Sequence, residues 1–209
     1  MLNHNFDVDI QVPSSKQKVK INKDYIEVNQ VQIPCSDIQA IKYGVSLIGP
    51  VKNPTKKAYN IDILSKDNKA VSINFESSKV QELLEEDHTY YYIMSGLWQY
   101  VKKGLIGQFI DTLNEQQSFN IGNTTISNQG VLMSYKTWFF GKTKTEITPW
   151  SDLKYYLNKG ILHIESISNK KKKVLLSLHN DWNAVVLNTL MHYLWQDNRK
   201  TKLARGEKI

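Results

Sequence analysis

Apolar and polar residues alternate in short runs over much of the chain. Phe6, Val8, Ile10 and Val12 alternate up to Pro13, as a first strand or an ordered arm, and from Lys18 the alternation of Val19 and Ile21 leads to a turn at Asn22-Lys23-Asp24. Tyr25 to Val28 returns from that turn, and Val31 and Ile33 form a further short run ending at Pro34. A period of two places alternate side chains on one face of a pleated strand, so the runs from Lys18 predict an antiparallel meander. The segment from Tyr43 to Ala58 carries Gly44, Gly49, Pro50 and Pro54 and reads as a long connection. Strands are predicted again at 59–64 and 70–75, joined by a turn at Lys66-Asp67-Asn68.

From Ser77 the period lengthens toward that of a helix. Ser78 and Gln81 have capping-box spacing. Val80, Leu83 and Leu84, then Tyr91, Ile93, Met94, Leu97, Trp98, Val101, Leu105, Phe109 and Leu113, predict a short helix and a longer one over about 88–114. Asp87-His88 is the expected break between them. Gly96, Gly104 and Gly107 each weaken the long helix by roughly 1 kcal/mol relative to alanine. They mark places where it kinks or where another backbone comes close.

Much of this pattern recurs in the second half. Ile33-Pro34-Cys35-Ser36-Asp37-Ile38 matches Thr148-Pro149-Trp150-Ser151-Asp152-Leu153, and Asn22-Lys23-Asp24 corresponds to Asn128-Gln129-Gly130. Residues 59–75 overlie 162–178 without a gap at an offset of 103, with Ile61 on Ile164, Lys69 on Lys172 and Val71 on Val174. A final helix, capped by Asn180 or Asp181, is expected over about 181–196, with Trp182, Val185, Val186, Leu190, Tyr193 and Leu194 as its apolar stripe. The tail after Trp195 has little apolar content and is expected to fray. A repeat is a folding unit. The domain organisation is therefore read as 1–115, a first repeat with a long linking helix, and 116–209, a second repeat with a C-terminal helix. A small curved sheet cannot bury its inner face alone, so each unit is expected to be an α+β arrangement, an antiparallel sheet or barrel closed by its helix.

Composition changes this picture little. The 209 residues are 41% hydrophobic and 22% charged, ordinary values for a globular chain. The single cysteine, Cys35, excludes an internal disulfide and any multi-cysteine metal site. The N-terminus lacks the basic start and apolar run of a signal peptide, and no apolar run approaches the roughly 18 residues of a membrane span. A cytoplasmic location is the expectation. Charge is uneven: residues 1–115 balance at −1 and residues 116–209 at +8. A basic half suits an anionic partner, but only Arg199 and Arg205 are arginines. Nucleic-acid recognition leans on the bidentate arginine fork, so nucleic acid is not expected.

The second repeat carries Asn128-Gln129-Gly130-Val131, Pro149-Trp150-Ser151-Asp152-Leu153, Gly160-Ile161-Leu162-His163-Ile164 and Trp182-Asn183. In these residues it resembles the bacterial pleckstrin-homology-like (PH-like) domains. The first repeat keeps Pro34-Cys35-Ser36-Asp37-Ile38 and lacks the Trp-Asn pair. The resemblance covers about residues 16–195. It implies a tandem fold used for docking lipids, peptides or protein surfaces, usually without catalysis; fold alone does not choose among these.

Candidate chemistry is sparse. His4, His88, His163, His179 and His192 are scattered, with no i, i+4 pair and no cysteine nearby, whereas a zinc site needs convergent ligands. Asp37 and Asp152 are equivalent by the repeat and read as turn residues. No nucleophile elbow, phosphate-binding glycine loop or dinucleotide fingerprint is present. Lys102-Lys103-Gly104-Leu105-Ile106-Gly107 contains the Gly-x-x-Gly spacing of an RNA-binding loop but falls within a helical pattern. The expectation is a non-enzyme with no catalytic, metal or cofactor-binding residues, docking an unidentified protein or peptide partner. One alternative is peripheral binding to anionic lipid, with Lys136, Lys142 and Lys144 as the basic contacts and Trp138 or Phe139 as the apolar anchor. The other is an enzyme with an unrecognised site between the repeats.

Overall fold

The structure, a computed structural model, describes residues 6–136 and 141–204, the last eight of these by backbone alone. Among the described residues it is a mixed α+β protein with four antiparallel sheets. The chain divides into two compact units, Met1–Leu105 and Ile106–Ile209.

In the first unit, β1 (Val8–Gln11), β2 (Lys18–Ile21), β3 (Tyr25–Val28) and β4 (Val31–Pro34) form a meander in sequence order. A 3-10 turn, Cys35–Asp37, follows Pro34. Then β5 (Ile38–Ile48), β6 (Lys56–Ser65) and β7 (Ala70–Ser77) form a three-stranded sheet. Burial alternates strictly along β6 and β7, so that Ile61, Ile63 and Ile73 are fully buried. Each such side chain contributes about 1.5–3 kcal/mol of burial free energy. The strands make open sheets, and among the described residues no barrel closes.

The segment 43–58 is not a connection. β5 and β6 stay paired from Ile38↔Ser65 out to Ile48↔Lys56, leaving a turn over 49–55. Gly44 is absorbed inside the ladder opposite Asn60, and only Gly49, at φ +115°, needs the left-handed region. The turn residues lie at the tip of a hairpin arm and do not interrupt a loop.

The expected short helix near Ser78 is also absent. α1 (Glu85–Leu97) begins later, and Asp87 sits in its first turn. Its Oδ2 accepts the Leu84 backbone N–H at 2.9 Å, while Oδ1 accepts both the Lys57 ammonium and the Tyr59 hydroxyl at 2.5 Å. Burial pushes the Asp87 carboxyl up, and the bonds from Lys57 and Tyr59 outweigh it, holding the group below the usual carboxylate range. The sequence places a break at Asp87; the fold uses it as the cap that ties the helix to β6. Tyr59 stacks on Phe75 at 4.8 Å and meets Tyr90 at 4.9 Å, which continues the same junction with aromatic packing.

The helix does not run straight on. A five-residue π turn, Trp98–Lys102, separates α1 from α2 (Lys103–Gln116), with the Lys103 N–H donating to Trp98 O. Such a turn inserts one residue and rotates the apolar stripe. Val101 and Lys102 are both buried as a result. Gly96 is where another segment comes close: a Cβ there would lie 2.9 Å from Val8 Cγ2 and 3.3 Å from Phe6 O. Gly104 and Gly107 face open space.

In the second unit, β8 (Ser118–Ile121), β9 (Thr124–Ser127), β10 (Gly130–Lys136) and β11 (Thr143–Pro149) form a four-stranded meander. A 3-10 turn, Trp150–Asp152, again follows a proline. β12 (Leu153–Asn158), β13 (Ile161–Ser166) and β14 (Lys173–Ser177) make a three-stranded sheet, and α3 (Ala184–Ala204) follows. The order of elements is that of the first unit. The gapless overlay of 59–75 on 162–178 does not survive: Ile63 pairs with Val71 whereas Ile164 pairs with Val174. Ser65 N–H bonds Lys69 O and Ser166 N–H bonds Lys172 O, so the second turn is two residues longer. α3 starts later than expected because Asp181 Oδ2 is taken by the Ser177 N–H at 2.7 Å, and it extends through the tail read as frayed.

Candidate functional site

The second unit carries an open groove of about 510 Å³. Its apolar lining comes from α2 (Ile110, Leu113), the 3-10 turn (Trp150) and α3 (Leu190, Tyr193, Leu194). Asn114, Ser127, Asn128 and Gln196 complete it, so among the described residues the lining carries no charge. Leu113, Trp150 and Leu190 are buried in its floor, while Ile110 is 38% and Tyr193 52% exposed at its rim.

Trp150 sets the floor. Its indole N–H donates to Ser127 O and Asn128 O, both at 3.1 Å, clamping the β9–β10 turn. That turn needs Gly130, at φ +153°, because any Cβ there would collide with Thr148 O across the ladder. In the first unit Cys35 holds the corresponding place, and its thiol donates to Asn22 O of the β2–β3 turn at 3.4 Å. Burial pushes the Cys35 thiol up to about 11. One position therefore fastens the same turn in both units, and only the tryptophan is large enough to shape a groove.

Lys136, Lys142 and Lys144 are all exposed near the open end of the β10–β11 hairpin. Lys136 pairs with Thr143 and Tyr135 with Lys144, so Lys136 and Lys144 point to opposite faces of the ladder. Lys144 shares its face with Glu146, which forms an ion pair with Lys172. That hydrogen bond holds the Glu146 carboxyl below its usual range. Trp138 and Phe139, the anchors read from the sequence, lie outside the described residues, as does Phe140.

Asp152 does the work of a turn residue. Its Oδ1 accepts the Ser168 N–H at 2.8 Å, and its Oδ2 accepts the Ser166 and Ser168 hydroxyls at 2.6 and 2.8 Å. Burial raises its carboxyl and these bonds more than reverse the effect. The backbone oxygens of Asp37 and Asp152 accept the N–H of Lys66 and Ile167 respectively, each at 2.8 Å. His163 stacks on Tyr156 at 4.6 Å and stands 3.7 Å from Glu165. The Gly104–Gly107 run is helical within α2.

Lys102, read from the sequence only as the start of the Gly-x-x-Gly run, has a buried aromatic setting that the sequence did not reveal. Only 7% exposed, it donates to the Tyr43 hydroxyl at 2.8 Å and lies over the Trp98 and Tyr43 rings at 5.3 and 5.4 Å. Burial lowers its ammonium to about 8 and raises Tyr43 to about 12. The two rings offset only part of that desolvation, since the ammonium stays depressed. Its burial follows from the π turn, which period-based reading does not detect. Among the described residues no helix is long and apolar enough to cross a membrane, and no three metal-ligating side chains gather. No protein-family model, curated protein or solved structure matches the chain.

Proposed function

We propose that this protein is a non-enzymatic docking module of two PH-like units, acting in the cytoplasm, whose second unit holds an uncharged, apolar-anchored peptide segment of a partner protein. The order of elements supports the PH-like reading, since each unit runs four strands, a proline-led 3-10 turn, three strands and a helix. The groove carries the functional one. Its volume lies within the few hundred to 1,000 Å³ usual for specific sites, and its apolar floor can bury side-chain anchors. Amide side chains beside that floor suit peptide main-chain groups, and the described part of the lining, which is uncharged, offers no cation to a phosphate or a carboxylate.

Panning a displayed library of random peptides against the full chain tests this. Enrichment of sequences with two or three apolar anchors is expected, and synthetic versions should lose about tenfold or more in affinity, at least 1.4 kcal/mol, against Ile110→Asp or Tyr193→Asp. Both side chains are exposed at the rim, so the variants keep the fold. Failure to enrich any sequence, or equal binding to both variants, rejects the groove.

A further inference from the structure

Edge strands present unpaired N–H and C=O groups, and folded proteins blunt them with charge, proline, shortness or cover. Here β1, β4 and β8 are four residues long, and β4 ends in Pro34. β11 carries Lys144, Glu146 and Pro149, β12 carries Lys154, and β14 carries Lys173. The β7 edge is covered by side chains: the Gln17 amide donates to Ser72 O and accepts from Asn74 N–H, both at 2.9 Å, and Ser14 Oγ accepts from Glu76 N–H at 3.3 Å.

β5 differs from all of these. It is eleven residues long, it forms the other edge of the same sheet, and Tyr43 to Gly49 contains neither charge nor proline. Within that stretch Val45 is 46%, Leu47 60% and Ile48 38% exposed. Partner-facing main chain next to exposed apolar side chains is the chemistry of strand addition.

We infer that the Gly44–Ile48 edge of β5 pairs antiparallel with the same edge of a second copy of this chain. The sequence is complementary to itself in that register. About a two-fold axis at Ser46, Val45 meets the partner's Leu47 on one face and Gly44 meets the partner's Ile48 on the other. Cross-strand apolar contacts of this kind are the stabilising unit of a sheet. The nearest charge, Lys42, falls opposite Pro50 of the other copy, so no like charges meet. A two-fold contact is isologous, the commonest form of assembly, and this one joins two three-stranded sheets into six strands.

Sedimentation velocity over a concentration series, together with cysteine cross-linking, decides the matter. The wild-type chain is expected to dimerise reversibly. Val45→Lys with Leu47→Lys, which sets lysines opposite one another at two exposed positions, should weaken association about a hundredfold, with unchanged circular dichroism and melting. In a Cys35→Ser background, Ser46→Cys should cross-link through a short bis-maleimide, and Ser72→Cys on the covered edge should not. A wild-type chain that stays monomeric throughout, a dimer indifferent to the double lysine variant, or cross-linking at position 72 and not 46 overturns the assignment.

Discussion

The ammonium of Lys102 and the hydroxyl of Tyr43 are 2.8 Å apart, joined in a pocket of aromatic rings where, among the described residues, Lys102 has no carboxylate partner. Keeping a lysine there charged costs free energy, and that cost is the reason its ammonium titrates near 8 in the fold.

The sign of the pH dependence follows from linkage. Between about 8 and the ordinary lysine value of 10.5, the unfolded chain holds this proton and the folded chain does not. Stability from this group therefore rises with pH across that window, and its penalty is fully present below it. Lys102→Met removes the penalty while keeping the bulk of the side chain. The expected result is a gain on the order of 2–3 kcal/mol near neutral pH, shrinking as the pH approaches 10.5. Urea denaturation of both proteins at several pH values measures it. A constant difference at all pH values would mean that packing, and not charge, separates them.

Two glycines of the same helical stretch should respond in opposite directions. Gly96→Ala puts a methyl 2.9 Å from the Val8 side chain and 3.3 Å from Ile21 and Phe6 O. Overpacking of that kind costs about 1–3 kcal/mol and outweighs the gain in helix propensity. Gly104→Ala meets nothing within 4 Å and should stabilise by up to about 1 kcal/mol. Thermal denaturation of the two single variants should move the melting temperature down for the first and up for the second.

The lipid alternative is tested at Lys136, Lys142 and Lys144. Each lysine near an anionic surface is worth about 1 kcal/mol, so three of them support only weak, salt-sensitive attachment. If lipid is the ligand, co-sedimentation with phosphatidylserine vesicles should occur at low salt, fall at high salt, and fall again in Lys142→Glu with Lys144→Glu. Lys136 and Lys144 point to opposite faces of the hairpin, which makes a single flat contact harder to form. The docking reading expects no vesicle binding at any salt concentration.

What the sequence made legible was local and periodic. Alternation located β2 to β4 because each strand buries one face, while β1 was left open between a strand and an arm; the shared Pro-x-Ser-Asp pattern marked bends that the structure forms as 3-10 turns after Pro34 and Pro149. The β5–β6 arm was missed because its glycines and prolines look like a loop, although main-chain pairing carries the strands past them to Ile48 and Lys56. Ser78 and Gln81 imitate a helix start that loses to Asp87, whose carboxylate is fixed by Lys57 and Tyr59, both distant in sequence. The groove was half visible. Tyr193 and Leu194 belonged to a recognised stripe, but only the fold sets them beside Ile110 and Trp150.

The side chains of Gln17 and Ser14 that close off β7 also fix how far any growth by strand pairing can go. A building block with one reactive end terminates after a single addition, as a monofunctional monomer does in a polymerisation. With both ends of that sheet open, each added copy would present a fresh site, and the product would be a filament. The Gln17 and Ser14 side chains thus stand between a particle of fixed size and an unbounded fibre.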